Sequence, residues 1–450
     1  MQDLFHRVQS VLGIIIVVSL VLCQPMKAYS ETPRRCQPNE HSLVELLMSL
    51  YKQSENVKNS ELLVKIAQEE LKQANNERKP SINFTLSADV ISENDNLRSF
   101  SDNFRSSSTQ QLELSQPLWT GGRINAAVDF AKQNEKVERS KLNAIQSQTL
   151  LFGAEQLRIL EVSRRRLEIR RDLVKSLENQ VDLVETRFDL GQLTKTDLAR
   201  ARAQLVDAKR SVLQESYAMR EAELAIQSLF NISLSGMKMI FSYTNEVINY
   251  GEATDIALSQ NTDILVLDEQ IELAKREVAV ELKSLRPRLD LNVIGSARQY
   301  ELLENSEDLS LVGTLSVPIY DKGQKKSKTR VAKLRLQQTR LSRDLRIREV
   351  RARVTALINS INEAKASSEL ADQVVGFETS AYEAAIEEQR LQRRSSFEVL
   401  ALEQSLLSAR VAQIDSNLNL VMSRVRLDAE LGRLHKVLTE THQLCVSQNN

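Results

Sequence analysis

Histidine and cysteine are scarce in this 450-residue chain, at four and three residues. His6, His41, His435 and His442 fall at no metal-ligand spacing, alone or with the cysteines. Glycine and proline number 12 and 7, and no glycine cluster forms a phosphate-cradling loop. No Ser-His-Asp order and no carboxylate pair with a pocket of its own stands out. No catalytic residue, metal or cofactor is therefore expected. Net charge is absent too: 60 Lys and Arg are matched by 60 Asp and Glu, which argues against nucleic acid as a partner. The basic stretch Lys322 to Arg353 and the clusters Arg164–Arg166 and Arg170–Arg171 read as solvated helix faces.

Long apolar runs are missing beyond the start. His6 and Arg7 precede an apolar run from Val11 to Leu22, followed by Ala28-Tyr29-Ser30. This is the pattern of a secretory signal peptide over residues 1–30, and the run is shorter than the ~20 residues of a membrane-spanning helix. Cys23 follows Leu22, where lipidation wants a small residue. In an oxidising compartment the two remaining cysteines, Cys36 and Cys445, are expected to form a disulfide; the alternative is two free thiols.

What is present is organised around one corner, Leu114-Ser115-Gln116-Pro117-Leu118-Trp119-Thr120-Gly121-Gly122-Arg123. It ends an alternating, strand-like stretch and opens a run nearly free of glycine and proline and rich in helix formers. Pro318-Ile319-Tyr320-Asp321-Lys322-Gly323 repeats it 201 residues later. Lys79-Pro80-Ser81-Ile82-Asn83-Phe84 returns as Arg286-Pro287-Arg288-Leu289-Asp290-Leu291 at a shift of 207. The chain is thus a duplication. Residues 31–230 form a first repeat, 231–250 a linker, 251–435 a second repeat and 436–450 a tail. Each repeat reads helix, strand, strand, long helix, tip, returning helix.

Ile82, Phe84, Leu86, Ala88 and Val90 alternate with polar residues, as do Leu289, Leu291 and Val293. Their partners are Thr109–Pro117 and Leu309–Pro318, with polar loops expected over Ser92–Ser108 and Gln299–Asp308. Strands of ~9–11 residues are long enough to cross a bilayer when tilted. An unpaired edge is prohibitive in lipid, and four strands fall short of the ~8 of the smallest closed barrels. Pooling strands from several copies resolves this, and three copies would supply twelve. Trp119 and Tyr320 occupy equivalent corners, where membrane-interface aromatics would sit.

From Arg123 to Leu190 the helix would measure about 100 Å. Leu160, Leu167, Val174, Val181 and Phe188 recur at sevens. After a tip at Gly191–Thr196 so do Leu198, Leu205, Val212, Met219 and Ile226, beside Ala201, Ala208 and Ala222. Val399, Leu406, Leu420, Leu427 and Leu434 repeat the row, with Gln413 as the polar exception. Two antiparallel coiled-coil hairpins are expected. Single helices over about Ser42–Glu77 and Glu252–Leu285 are expected to stack end to end with the returning helices, and Asn231–Tyr250 to form an irregular belt.

Together these features resemble the TolC family of outer-membrane efflux and secretion channels, most specifically in Arg187-Phe188-Asp189-Leu190-Gly191, Thr196-Asp197-Leu198 and Ala201-Arg202-Ala203-Gln204. The resemblance covers essentially the whole chain after residue 30. It implies a mainly α-helical fold with transmembrane β-structure: a coiled-coil α-barrel continuing into a trimeric twelve-stranded β-barrel. It also implies a homotrimer in outer-membrane lipid that works with a periplasmic adaptor and an inner-membrane transporter, in efflux or type I secretion. The implied periplasmic gate comprises Thr196, Asp197, Arg394 and Glu398, with an Asp197–Arg394 ion pair. Gln389 stands where the family has tyrosine, Ala401 where it has a second ring acid, and Gln392 where it has glycine. The contrasting reading is an exported coiled-coil adaptor or structural protein with a soluble sheet.

Overall fold

The computed structural model describes residues 40–92, 104–231, 238–240, 243, 249–284, 286–300, 306–391 and 393–439. The expected signal peptide, Cys23, Cys36, Cys445, Gln392 and most of the linker lie outside them. Compactness divides the chain after Glu40, and every helix and long strand belongs to the unit that begins at His41.

The first repeat runs α1 (Leu43–Gln53), α2 (Glu55–Asn76), β1 (Ser81–Ser92), β2 (Phe104–Trp119), α3 (Arg123–Asp189) and α4 (Lys195–Phe230). The second runs α5 (Tyr250–Gln260), α6 (Thr262–Lys283), β3 (Arg288–Tyr300), β4 (Ser306–Ser316), α7 (Gln324–Arg390) and α8 (Ser396–Glu430). The long helices α3 and α7 each hold 67 residues, and elements recur at the shifts of 207 and 201. In the linker a short strand, Lys238–Ile240, pairs with the strand that leads into α1.

Two expectations are corrected. The helices before the sheet are not continuous: each breaks at one residue, Ser54 and Asn261, whose backbones are extended at φ −58°, ψ 120° and φ −57°, ψ 123°. Asn261 competes with the helix by accepting from the N–H groups of Asp263 and Ile264. Three strands are also longer than expected, at 12, 16 and 13 residues against 11 for the last, and the strands take up parts of both expected loops.

The strands form one antiparallel sheet in the order β1-β2-β3-β4. Register sets the apolar rows on one face. Ile82 pairs with Leu114, Leu114 with Val293 and Val293 with Leu311. Phe84 pairs with Leu112, and Leu289 with Leu315. The opposite face carries Asn83, Glu113, Gln111, Asn292, Ser296 and Arg298, with Ile294 and Val312 as apolar exceptions. No described element of the chain covers the apolar face: Phe84 is 66 % and Leu309 82 % exposed.

The helices continue the same order. Near the sheet the packed neighbours are α2, α3, α6 and α7 in a row; towards the tips they are α4, α3, α8 and α7. Both rows are one helix thick, so the deepest core lies at mid-height, where short and returning helices meet. There Leu43, Leu47, Leu157, Leu160, Ile226, Met422 and Leu434 are fully buried or nearly so. Asn261 donates to the main-chain oxygen of Glu430 at 2.7 Å, so α6 begins where α8 ends. In α4 the alanine row is buried through Ala201, Ala208 and Ala222, while of the other row only Ile226 is fully buried and Leu198, Leu205, Val212 and Met219 are half-buried. Small side chains let α4 approach α3 closely. Gln413 is satisfied at its heptad position by donating to Asp372 at 2.7 Å.

Candidate functional site

Two regions carry the residues singled out in the sequence: the corners between sheet and helices, and the tips.

At the first corner the chain turns through Gly121 (φ 59°) and Gly122 (φ 80°). A Cβ on Gly121 would stand 2.4 Å from Cβ of Arg286, which leaves room only for glycine. Arg286 donates to the main-chain oxygen of Gly121 at 3.2 Å. The second corner has Lys322 (φ 56°) in the equivalent place. There Asp321 caps α7 by accepting from the N–H of Gly323 at 3.1 Å and of Lys325 at 2.8 Å. Trp119 ends β2 and Tyr320 precedes α7; both are exposed, at 51 % and 84 %.

At the first tip, Gly191 (φ 71°) ends α3, and the N–H of Gln192 bonds to the carbonyl of Arg187 at 2.9 Å. At the second, the N–H of Arg393 bonds to the carbonyl of Glu388 at 2.8 Å, the same turn 201 residues on. Both returning helices open with a reciprocal capping box. Thr194 accepts from the N–H of Asp197 at 3.3 Å, and Asp197 accepts from the N–H and hydroxyl of Thr194 at 3.1 and 2.7 Å. Ser395 accepts from the N–H of Glu398 at 3.3 Å, and Glu398 accepts from the N–H of Ser395 at 3.1 Å. The bonds from the Thr194 side chain and main chain hold the Asp197 carboxyl below its ordinary range.

Arg394 pairs with Glu388 at 2.8 Å, on the last turn of its own hairpin. Within the chain, then, Asp197 and Arg394 are held by neighbours and not by each other. Thr196 is exposed on the first turn of α4, and Gln389 is half-buried at the end of α7. Sequence reasoning did not single out Thr194, Ser395 or Glu388. The signal for the first two was present, as Thr194-Lys195-Thr196-Asp197 and Ser395-Ser396-Phe397-Glu398. Among the described residues no group of His, Cys, Asp and Glu is placed to hold a metal, and no helix is long and apolar enough to cross a membrane.

The model of the family described as "Outer membrane efflux protein" matches residues 46–231 and 253–433, the two repeats. The chain belongs to that family. It is an outer-membrane exit channel of the efflux and type I secretion class, with a large periplasmic portion, and not an enzyme. Outer membrane efflux protein BepC of Brucella suis biovar 1 is 21 % identical over 336 residues, covering 74 % of this chain and 73 % of BepC. Alkaline protease secretion protein AprF of Pseudomonas aeruginosa is 25 % identical over 324 residues, covering 67 % of this chain and 65 % of AprF. The Campylobacter jejuni CmeC outer membrane channel superposes with a TM-score of 0.75 at 16 % identity, over 87 % of this chain and 86 % of that one. The open state of the Neisseria gonorrhoeae MtrE channel does so at 0.74 and 16 %, over 87 % and 88 %. Both structural likenesses establish the fold.

Proposed function

We propose that three copies of this chain form one exit duct, with a twelve-stranded barrel in outer-membrane lipid standing on a helical tunnel. The tunnel opens at its tips when a periplasmic adaptor and an inner-membrane transporter dock. The observation that carries this reading is the four-wide ribbon with unlike edges. β1, α2 and α4 line one side and β4 and α7 the other, so each copy's right edge meets the next copy's left edge and rotation closes the ring. Closure would pair both open strand edges, as lipid demands. The exposed apolar rows would then face lipid and the polar face a water-filled lumen, with Trp119 and Tyr320 at the inner interface.

Thr196, Asp197, Gln389, Arg394 and Glu398 form the proposed gate. Three Glu398 carboxylates around one axis would favour cations and repel anions. Opening requires the hairpins to part, and among the described residues the two tips of each chain carry no ion pair to one another. The names of BepC and AprF refer to efflux and to alkaline protease secretion; efflux and type I secretion are the two duties the proposed duct can serve. The test is native mass spectrometry of the detergent-extracted outer-membrane protein with planar-bilayer recording. A mass of three chains with discrete conductance steps is expected. A monomer extracted without detergent would instead support the soluble adaptor.

A further inference from the structure

Between Lys322 and Arg353 the chain holds thirteen cations and two carboxylates, and the proposed duct gives them no task. Those facing α6 and α8 are paired: Arg335 with Glu277 at 2.8 Å, Arg343 with Asp268 at 2.6 Å, Arg346 with Asp263 at 2.5 Å and Arg353 with Glu430 at 3.6 Å. A different side of α7 carries a second set. Steps of four and three residues lead from Lys326 through Arg330, Lys333, Gln337, Arg340, Asp344 and Arg348 to Arg351, one stripe along the helix. All eight positions are exposed, and the stripe runs about 38 Å. Among the described residues none of its six cations makes an ion pair. The nearby carboxylates are engaged: Asp344 lies 4.0 Å from Arg343, and Glu272 of α6, whose charge Arg340 favours, pairs with Lys275. Duplication does not account for the stripe. The same positions of α3, 201 residues earlier, hold three cations, Lys132, Lys136 and Arg139; the last pairs with Glu135 at 2.7 Å, and the row ends on buried Leu150.

The stripe is bounded at both ends. Above it stands the exposed Tyr320 of the second corner. Below it the next position, Thr355, donates to the Tyr250 hydroxyl at the head of α5 at 3.2 Å. α5 packs on this part of α7 as a second layer. Three such layers inside the ring proposed above would fill its tunnel, so in that ring the stripe faces outward. The exposed apolar positions Val331, Leu334, Leu341 and Leu345 lie about 90° round the helix, so a neighbouring copy seated on them leaves the stripe open.

We infer that the stripe binds a carboxylate-bearing polymer of the cell wall, held against α7 between the membrane and the α5 layer. The site rests on the proposed ring for its outward direction. Charge complementarity selects a polyanion. Lipid phosphates do not suffice: screening limits their reach to ~8 Å, which takes in Lys326 and leaves Arg340, Arg348 and Arg351 unserved. An acidic protein partner would want apolar or aromatic anchors, and no position of the stripe is apolar. A hydrated glycan with pendant carboxylates needs none, and arginine forks take carboxylates two bonds at a time.

The experiment uses the full-length, detergent-extracted protein, with purified cell-wall sacculi as the probe in a sedimentation assay. The parent should sediment with the sacculi and be released by added salt. Lys326→Gln, Lys333→Gln, Arg348→Gln and Arg351→Gln together should lower the bound fraction about tenfold, the sum of several weak charge contacts. Lys132→Gln with Lys136→Gln, on the same row of the first repeat, should leave it unchanged. Arg348→Lys with Arg351→Lys keeps the charges and should retain binding. Failure of the parent to sediment, or a fourfold variant that sediments as well as the parent, overturns the polymer site. If the fourfold variant does not fold, Lys333→Gln and Arg348→Gln are read singly, and no loss in either overturns the site. Stripe-dependent binding to phosphatidylglycerol vesicles or to polyglutamate, without binding to sacculi, overturns it in favour of lipid or of an acidic protein. Native mass is read separately: a monomeric parent overturns the ring, and salt-sensitive sedimentation through the stripe would stand without it.

Discussion

Asn261 and Glu430 are 169 residues apart, yet the amide of the first donates to the main-chain oxygen of the second at 2.7 Å. The same side chain caps α6 through its oxygen, so one residue closes two helix ends. Asn261→Ala removes both bonds at a site only 3 % exposed. A loss of about 2 kcal/mol is expected, the sum of a cap and a buried hydrogen bond. Asn261→Asp should keep the cap but lose the donor. Thermal melting of the two variants separates the contributions: aspartate should melt no higher than alanine, because its second oxygen faces the Glu430 carbonyl with no proton to donate.

Gly432 and Gly191 share a left-handed backbone, φ 74° and 71°, but differ in surroundings. A Cβ at 432 would stand 1.9 Å from the carbonyl oxygen of Gln260, whereas nothing approaches 191 within 4 Å. Gly191→Ala should cost about 1 kcal/mol, from backbone conformation alone. Gly432→Ala must displace main chain and should cost ~3 kcal/mol or more. Equal melting temperatures for the two variants would contradict the packing at the α5–α6 break.

Tyr243 donates to Asp428 at 2.6 Å, a carboxylate with no exposed surface. Arg433 holds the other oxygen at 2.5 Å. Burial, and then the Asp428 charge, raise the tyrosine pKa, so the phenol stays protonated. Tyr243→Phe leaves that oxygen with one donor fewer and should cost about 2 kcal/mol, read by chemical denaturation.

Glu403 accepts from the Ser176 hydroxyl at 2.6 Å between α3 and α8, and burial raises its pKa. A raised carboxyl pKa means that the folded chain holds the proton more tightly than the unfolded one. Its contribution therefore grows as pH falls through the raised value and is lost as pH rises above it. Glu403→Gln keeps an acceptor for Ser176 and removes the charge. The variant should melt higher than the parent at pH 7.5, and the gap should narrow at pH 5. His435, lowered by burial, acts oppositely, so the difference between variants is the quantity to compare.

Gate charges are open to bilayer recording. Glu398→Gln retains an oxygen for the Ser395 N–H while removing the charge, so it should reduce cation selectivity without loosening α8. Arg394→Ala releases Glu388 at the tip and should enlarge the single-channel conductance. Unchanged selectivity and conductance would remove both residues from the gate.

Much of this was legible because the fold is periodic. Arg123 to Leu190 reads as one helix, and Arg123–Asp189 is one helix; alternation at Ile82, Phe84 and Leu86 gave the strand and its apolar face. The breaks at Ser54 and Asn261 were not legible. They interrupt no heptad, and at Asn261 the local cap is joined by a bond to Glu430, 169 residues away. The burial of the alanine row over the leucine row follows from how closely α4 approaches α3, which spacing alone does not state. At the tips the charged residues were found but their partners were not. The resemblance paired Asp197 with Arg394; within one chain the same groups bond the nearby Thr194 and Glu388.

The two descending helices are equal in length, at 67 residues, and this makes the molecule its own ruler. Removing residues from one hairpin would leave a step in the rim that an incoming docking partner has to meet. A shortened duct would stay flush only if all four legs lost the same whole number of seven-residue units.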